Sequence, residues 1–292
     1  MNGKHIGICG VGLMGLGIAT NVRKAGFTLG FLDHPGNQPT ADLLAEGAVA
    51  FTTPAALAAE SDIVIICVTG SPEVRAVLTG DNGVLDGLKD GALIIDCSTA
   101  IPGRTLELAD MVREKGGRFL DAPMTRTPKE AAEGRLNLIV GGDKADFDEA
   151  LPLLRSFAEN IVHAGAVGAG YTLKLIHNFV SLGFSAVVAE AAVAAEKSGI
   201  APQVLHDVLA AGGGKGVVLD RMTPFILNGD LSAFRFTLAN SDKDLGYYND
   251  MAAEMSLVRD IAAAVGKHYR SAVEAGEGGR FVPELIDIFR TE

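Results

Sequence analysis

Two sets of residues in this chain could do chemistry. Near the start, Gly10-Val11-Gly12-Leu13-Met14-Gly15 sets three glycines in a Gly-x-Gly-x-x-Gly pattern. It follows a short apolar run, residues 5–9, and opens a helical segment, and this context gives the pattern its meaning. Gly10 allows a tight turn, Gly12 has no side chain to block a pyrophosphate, and Gly15 lets helix and strand pack closely. The amides of Leu13, Met14 and Gly15 would then open a helix whose dipole faces the phosphates. Asp33, 18 residues after Gly15, closes a second apolar run. A carboxylate there suits the adenine ribose hydroxyls and repels a 2′-phosphate. His34 follows, where an NADP enzyme would often offer Arg, so NAD is the predicted dinucleotide and NADP the less favoured one.

The second set is Lys174 and Asn178, four residues apart in an apolar segment and hence on one helix face. No carboxylate lies within one helical turn of Lys174 along the chain. A lysine buried away from acids titrates lower, towards the range useful for proton transfer. In aldehyde reduction such a lysine would protonate the oxygen while hydride adds to carbon, and oxidation runs backwards. Asn178 could hold the substrate oxygen or orient the lysine. Cys9, Cys67 and Cys97 sit in apolar runs with no Cys or His at ligand spacing, so they read as core thiols and no metal is expected.

These groups need a scaffold. The chain has 292 residues and 48% apolar composition, enough for two domains with substantial cores. Short apolar runs at 5–9, 28–32, 63–68, 93–96, 118–121 and 136–140 alternate with helical stretches at 14–25, 53–59, 72–78, 103–115 and 145–158. Residues 161–163 offer a last strand. The alternation predicts an α/β domain with a doubly wound parallel sheet between two helical layers. After Gly170 no further strand is apparent. A long helix is expected over 171–197, then helices at 202–211, 219–227, 241–254, 258–275 and 282–290, making an all-α second domain. The expected division is 1–167 and 168–292, with the long helix bridging the two. A formal charge of -11 argues against a nucleic-acid partner. The most apolar stretch, 175–195, holds His177, Asn178, Ser181, Ser185 and Glu190, too polar for a lipid-spanning segment. With no signal-peptide pattern after Met1, a cytoplasmic protein without a membrane partner is expected.

The run from Gly10 to Gly26 resembles the start of the β-hydroxyacid dehydrogenases, which include 3-hydroxyisobutyrate dehydrogenase and tartronate semialdehyde reductase. Four further matches follow in order: Asp96-Cys97-Ser98-Thr99, Asp121-Ala122-Pro123, the run from Gly168 to Asn178, and Ser241-Asp242-Lys243-Asp244-Leu245. The resemblance implies a Rossmann-type domain, a helical second domain and an active site in the cleft between them. It makes Lys174 the catalytic lysine, puts Ser98 on the substrate and Thr99 near the nicotinamide, lines the cofactor side with Thr69, and closes Lys243 over the site. His177 stands where simple hydroxyacid enzymes usually carry Asn, and either contacts substrate or caps local packing. Position 181, acidic in the decarboxylating 6-phosphogluconate enzymes, is Ser181 here.

One segment departs from the family. Asp-x-Pro-Val followed by Ser-Gly-Gly is the usual run; here Met124-Thr125-Arg126-Thr127 follows Pro123. Arg126 would bring a forked cation, and Thr125 and Thr127 hydroxyl donors, to the substrate's acid group. The segment resembles the branch that reduces 3-sulfolactaldehyde, as does Gly213-Gly214-Lys215-Gly216, which makes Lys215 a further anion contact. A small anionic substrate, sulfonate or carboxylate, is therefore expected. The competing use of Arg126 is a structural ion pair with an acid such as Glu130. Tartronate semialdehyde and 3-hydroxyisobutyrate are the alternative substrates. An imine reductase or a non-catalytic NAD-binding module would share the fold, but Lys174 speaks against both. A homodimer or homotetramer is expected, chiefly from the resemblance.

Overall fold

The computed structural model describes residues 3–291, and the chain divides into two compact units, 1–174 and 175–292. In the first, β1 (His5–Cys9), α1 (Gly15–Lys24), β2 (Thr28–Leu32), α2 (Ala41–Ala45), β3 (Val49–Phe51), α3 (Pro54–Glu60) and β4 (Ile63–Ile66) come first. They are followed by α4 (Ser71–Thr79), α5 (Val84–Gly87), β5 (Leu93–Asp96), α6 (Pro102–Glu114) and β6 (Arg118–Asp121). Then come β7 (Met124–Thr125), α7 (Pro128–Ala132), β8 (Leu136–Gly142), α8 (Lys144–Leu154) and β9 (Ala158–Gly165).

The sheet order is β3-β2-β1-β4-β5-β6-β8-β7, with β9 beside β8. The first six strands of this order are parallel, in the arrangement expected of a doubly wound fold. Strands β4 and β5 are wholly buried, and their side chains alternate between two apolar layers. Ile63, Ile65, Leu93 and Ile95 face the layer that contains Ile18, Val22 and Leu153, while Val64, Ile66 and Ile94 face Leu57, Leu78 and Leu108. Burial on both faces explains why these strands are short continuous apolar runs.

The sheet departs from the expected all-parallel arrangement at its far edge, where β8 runs antiparallel to β6 and β7. Only a two-residue turn separates β6 from β7, and the single short helix α7 separates β7 from β8. That is too little chain for a parallel crossover, so the polypeptide doubles back. Strand β9 restores the parallel sense beside β8 and is longer than the predicted 161–163.

Helix α9 (Ala169–Lys197) follows, its first turns belonging to the first unit. It is long and apolar enough to cross a membrane, yet half of its most apolar window is buried against protein. Lys174, Asn178 and Ser185 are among its buried side chains. The second unit continues with α10 (Pro202–Ala211), α11 (Val217–Asn228), α12 (Leu238–Glu254), α13 (Asp260–Glu274), a 3-10 turn at Val282–Glu284 and α14 (Leu285–Thr291). Its core gathers Leu182, Val188, Leu219, Met222, Leu245, Tyr269 and Leu285, and the Tyr269 hydroxyl donates to the Leu182 carbonyl at 2.9 Å. Among the described residues of this unit no strand forms, only an isolated bridge between Thr237 and Phe281.

Candidate active site

The glycine turn leaves β1 and enters α1 as its sequence requires. Gly10 has φ of +101°, and a Cβ there would strike the Cys67 carbonyl. A Cβ on Gly15 would strike the Gly10 carbonyl, so helix and strand could not approach. Gly12 differs: among the described residues, apart from Gly12 itself and its chain neighbours, nothing lies within 4 Å of where its Cβ would stand. A side chain there would project into the space over the turn, where the fingerprint puts a pyrophosphate, so these residues fit a dinucleotide. In the first turn of α1 the Leu16 amide donates to the Gly12 carbonyl at 3.0 Å and the Ile18 amide to the Met14 carbonyl at 3.3 Å, which winds the turn into the helix whose positive dipole end faces this space.

The turn is held by a contact that the motif did not reveal. Asn37, in the loop after β2, accepts from the Val11 amide through Oδ1 at 3.3 Å and donates to the Leu32 carbonyl through Nδ2 at 2.9 Å. The Gln38 amide donates to the Val11 carbonyl at 2.8 Å. The loop bearing Asp33 is thereby fastened to the phosphate turn. Asp33 itself is exposed, with its amide bonded to the Phe51 carbonyl at 2.7 Å. The His34 Nδ1 accepts the Gly36 amide at 3.0 Å, and residues 33–40 contain no Arg or Lys.

Thr69 follows β4, the neighbour of β1, and Ser98 and Thr99 follow β5, the next strand along, all at the carboxyl edge of the sheet. Ligands sit at this edge in open α/β sheets. Ser98 is buried; its Oγ accepts from the Val68 amide at 3.0 Å, and its amide donates to Asp96 Oδ1 at 3.0 Å. Asp96 and Asp121 are register partners at the ends of β5 and β6, both fully buried. Burial pushes the Asp96 carboxyl up to about 6; Tyr171 and Ser98 pull it back and Asp121 adds to the rise. Burial also raises Asp121, opposed by hydrogen bonds from the amides of Gly168, Tyr171 and Gly170. Lys174, on the next turn of α9, is 9% exposed.

The departing segment has a structural role of its own. Thr127 caps α7 through a reciprocal box with Glu130, and Thr125 Oγ1 accepts from Asn137 at 3.0 Å. Arg126 adopts φ of +82°, a left-handed conformation rare for a side chain of its size. Its guanidinium donates to Glu159 at 2.5 Å and to the Arg135 carbonyl. The acid that answers it is therefore Glu159 on β9, not Glu130, which is committed to the cap. Sequence spacing could not have found this pair, because β9 and the loop meet only through β8.

In the second unit a separate cluster forms. Asn178 is buried and donates to Asp244 Oδ2 at 2.6 Å, while its Oδ1 lies 3.0 Å from His177 Nδ1. Lys243 Nζ stands 3.0 Å from Asp244 Oδ1 and lies over the Tyr247 ring. Asp244 went unrecognised in the sequence although it lies inside the Ser241–Leu245 motif; a buried acid beside a motif lysine was the available signal. Lys215 is exposed on the turn between α10 and α11.

Sheet, glycine turn and buried lysine define an oxidoreductase that uses a nicotinamide dinucleotide. Residues 5–165 match the family model for the NAD-binding domain of 6-phosphogluconate dehydrogenase. Residues 168–288 match the NAD-binding model of NADP-dependent 3-hydroxyisobutyrate dehydrogenase. The chain is 34% identical to 3-sulfolactaldehyde reductase of Escherichia coli over 94% of its own length and 91% of the relative's. It is 32% identical to 2-(hydroxymethyl)glutarate dehydrogenase of Eubacterium barkeri, over 97% and 94%. The 3-hydroxyisobutyrate dehydrogenase of Mycobacterium tuberculosis superposes with a TM-score of 0.89 at 28% identity, covering 98% of this chain and 99% of that one. This chain belongs to the β-hydroxyacid dehydrogenase family.

Proposed function

We propose that this chain reduces a small anionic semialdehyde to its β-hydroxy acid with NADH, and catalyses the reverse oxidation with NAD. The observation that carries this reading is a buried lysine, Lys174, in the same compact unit as the glycine turn and Ser98. When bound, the nicotinamide supplies or takes the hydride. Lys174 donates a proton to the carbonyl oxygen in reduction and withdraws it from the hydroxyl in oxidation. Asn178, held by Asp244, steadies the same oxygen or the lysine. Ser98, His177 and Lys243 are the proposed substrate contacts, and Thr69 and Thr99 flank the cofactor. Gly10, Gly12, Leu13, Met14 and Gly15 hold the pyrophosphate and Asp33 the adenine ribose. Asp33 and the lack of a cation in 33–40 favour NAD over NADP.

For the acid group we favour a sulfonate, bound by Thr125, Arg126 and Thr127, with Lys215 as a further contact. The left-handed backbone at Arg126 supports this, because the family's usual residue there is Gly and an arginine costs about 1–3 kcal/mol of strain. Its pair with Glu159 is half exposed on the acid's side and screened by solvent, so a bidentate anion can displace it. The exposed Val180, Val187 and Val208 support a homodimer or homotetramer. We further propose a division into domains at 1–167 and 168–292 and a cytoplasmic location.

Oxidation of NADH and of NADPH, followed at 340 nm with a panel of semialdehydes including 3-sulfolactaldehyde, tests the substrate and cofactor. Lys174→Ala should lower turnover at least about 10²-fold while NAD still binds. Turnover unchanged by that substitution would remove Lys174 from the mechanism. Preference for a carboxylate such as tartronate semialdehyde would overturn the sulfonate reading alone.

A further inference from the structure

Asp121 makes contacts that the reaction as written does not use. Its side chain is fully buried at the end of β6. Oδ1 accepts the Gly168 amide at 2.7 Å and Oδ2 the Tyr171 amide at 2.9 Å. Two glycines clear the room it occupies. A Cβ on Gly141 would lie 2.5 Å from Oδ1, and one on Gly170 would lie 2.7 Å from Oδ2. A second tether runs beside it: the buried Tyr171 hydroxyl donates to the Asp96 carbonyl at 3.2 Å. The first turn of α9 is thus fixed to the ends of β5 and β6 through both main chain and side chain.

Lys174 lies three residues after Tyr171, on the adjoining turn and the same face. Whatever fixes the rotation of Tyr171 about the helix axis fixes the direction in which Lys174 leaves it. A side chain ends roughly 6 Å from the axis, so a 20° rotation moves it about 2 Å. A misplacement of about 1 Å can cost roughly 10²-fold in rate. We infer that Asp121 is a positioning residue for proton transfer: its carboxylate, with the Tyr171 hydroxyl as the second tether, aims Lys174 by fixing the first turn of α9. This rests on the assignment of Lys174 as the proton-transfer group.

The test is a double-mutant cycle on the NAD-loaded full chain. Asp121→Asn keeps the shape of the group but replaces one of its two acceptor oxygens with a donor. It should lower kcat about 10²-fold, leave the NAD dissociation constant within about threefold, and cause no further loss in a Lys174→Ala background. Tyr171→Phe, which removes only the hydroxyl, should lower kcat less, and its effect too should vanish in that background. It keeps the test open should Asp121→Asn fail to fold. If either substitution multiplies with Lys174→Ala, or loosens NAD by as much as it lowers kcat, Asp121 and Tyr171 are structural only and the inference is overturned. If Lys174→Ala itself leaves turnover intact, the assignment of Lys174 fails first and the inference falls with it.

Discussion

Asp96 carries a free-energy cost that can be read from the pH dependence of stability. Its carboxyl is fully buried, and burial pushes it from 3.8 to about 6. The folded chain therefore holds this proton more tightly than the unfolded chain does. The sign follows: the stabilising contribution is complete below about pH 4 and is lost as pH rises through about 6. At about 1.4 kcal/mol per unit, the whole shift corresponds to about 3 kcal/mol, of which about 2 kcal/mol falls between pH 4.5 and 7.5. Asp96→Asn removes the titration while keeping an oxygen for the Ser98 amide. Its fixed cost from the altered hydrogen bonding does not depend on pH, so the difference from the native chain isolates the carboxyl. For a chain of this size the Asn variant should gain roughly 4–8 °C in Tm relative to the native protein on going from pH 4.5 to 7.5. Paired thermal scans by circular dichroism at fixed ionic strength measure it. A Tm difference that stays constant with pH would show that Asp96 titrates normally, and one that moves the other way would show that its charge is stabilised by the fold.

Two further outcomes are expected. Asn37→Ala removes one hydrogen bond to the phosphate turn and one to the end of β2, the first worth about 1 kcal/mol to the turn, and should weaken NAD and ADP-ribose in equal proportion by about tenfold; titration calorimetry with both ligands checks it, and loss of NAD binding alone would refute it. Arg126→Ala should raise KM for the anionic substrate about tenfold or more with little change in NAD affinity, whereas Glu159→Gln, which frees the guanidinium, should lower KM or leave it unchanged. An Arg126→Ala enzyme with native KM would show that the acid group binds elsewhere.

Much of the fold was legible because the signals are local. The glycine turn needs φ above zero at Gly10 and bare backbone at Gly12 and Gly15, and only glycine meets both demands, so the sequence declares the turn. The parallel strands declare themselves as short apolar runs because both faces are buried. The positions of Lys174 and Asn178 on one helix follow from periodicity alone. The antiparallel edge was not legible: β7 has two residues and carries no period to detect, and β8, though visible as an apolar run, takes its direction from the short connection before it.

What the tertiary structure alone decided is which side chains answer one another across the sheet and between helices. Asp96 lies beside Asp121 because two strands pair in register, although 25 residues separate them. Arg126 reaches Glu159, Asn37 grips Val11, and Asp244 holds Asn178 for the same reason. Sequence fixes the chemistry available to each residue and the period on which it lies. Packing alone sets the partner of a buried polar group, because any nearby donor or acceptor can satisfy it and only the folded chain determines which one is near.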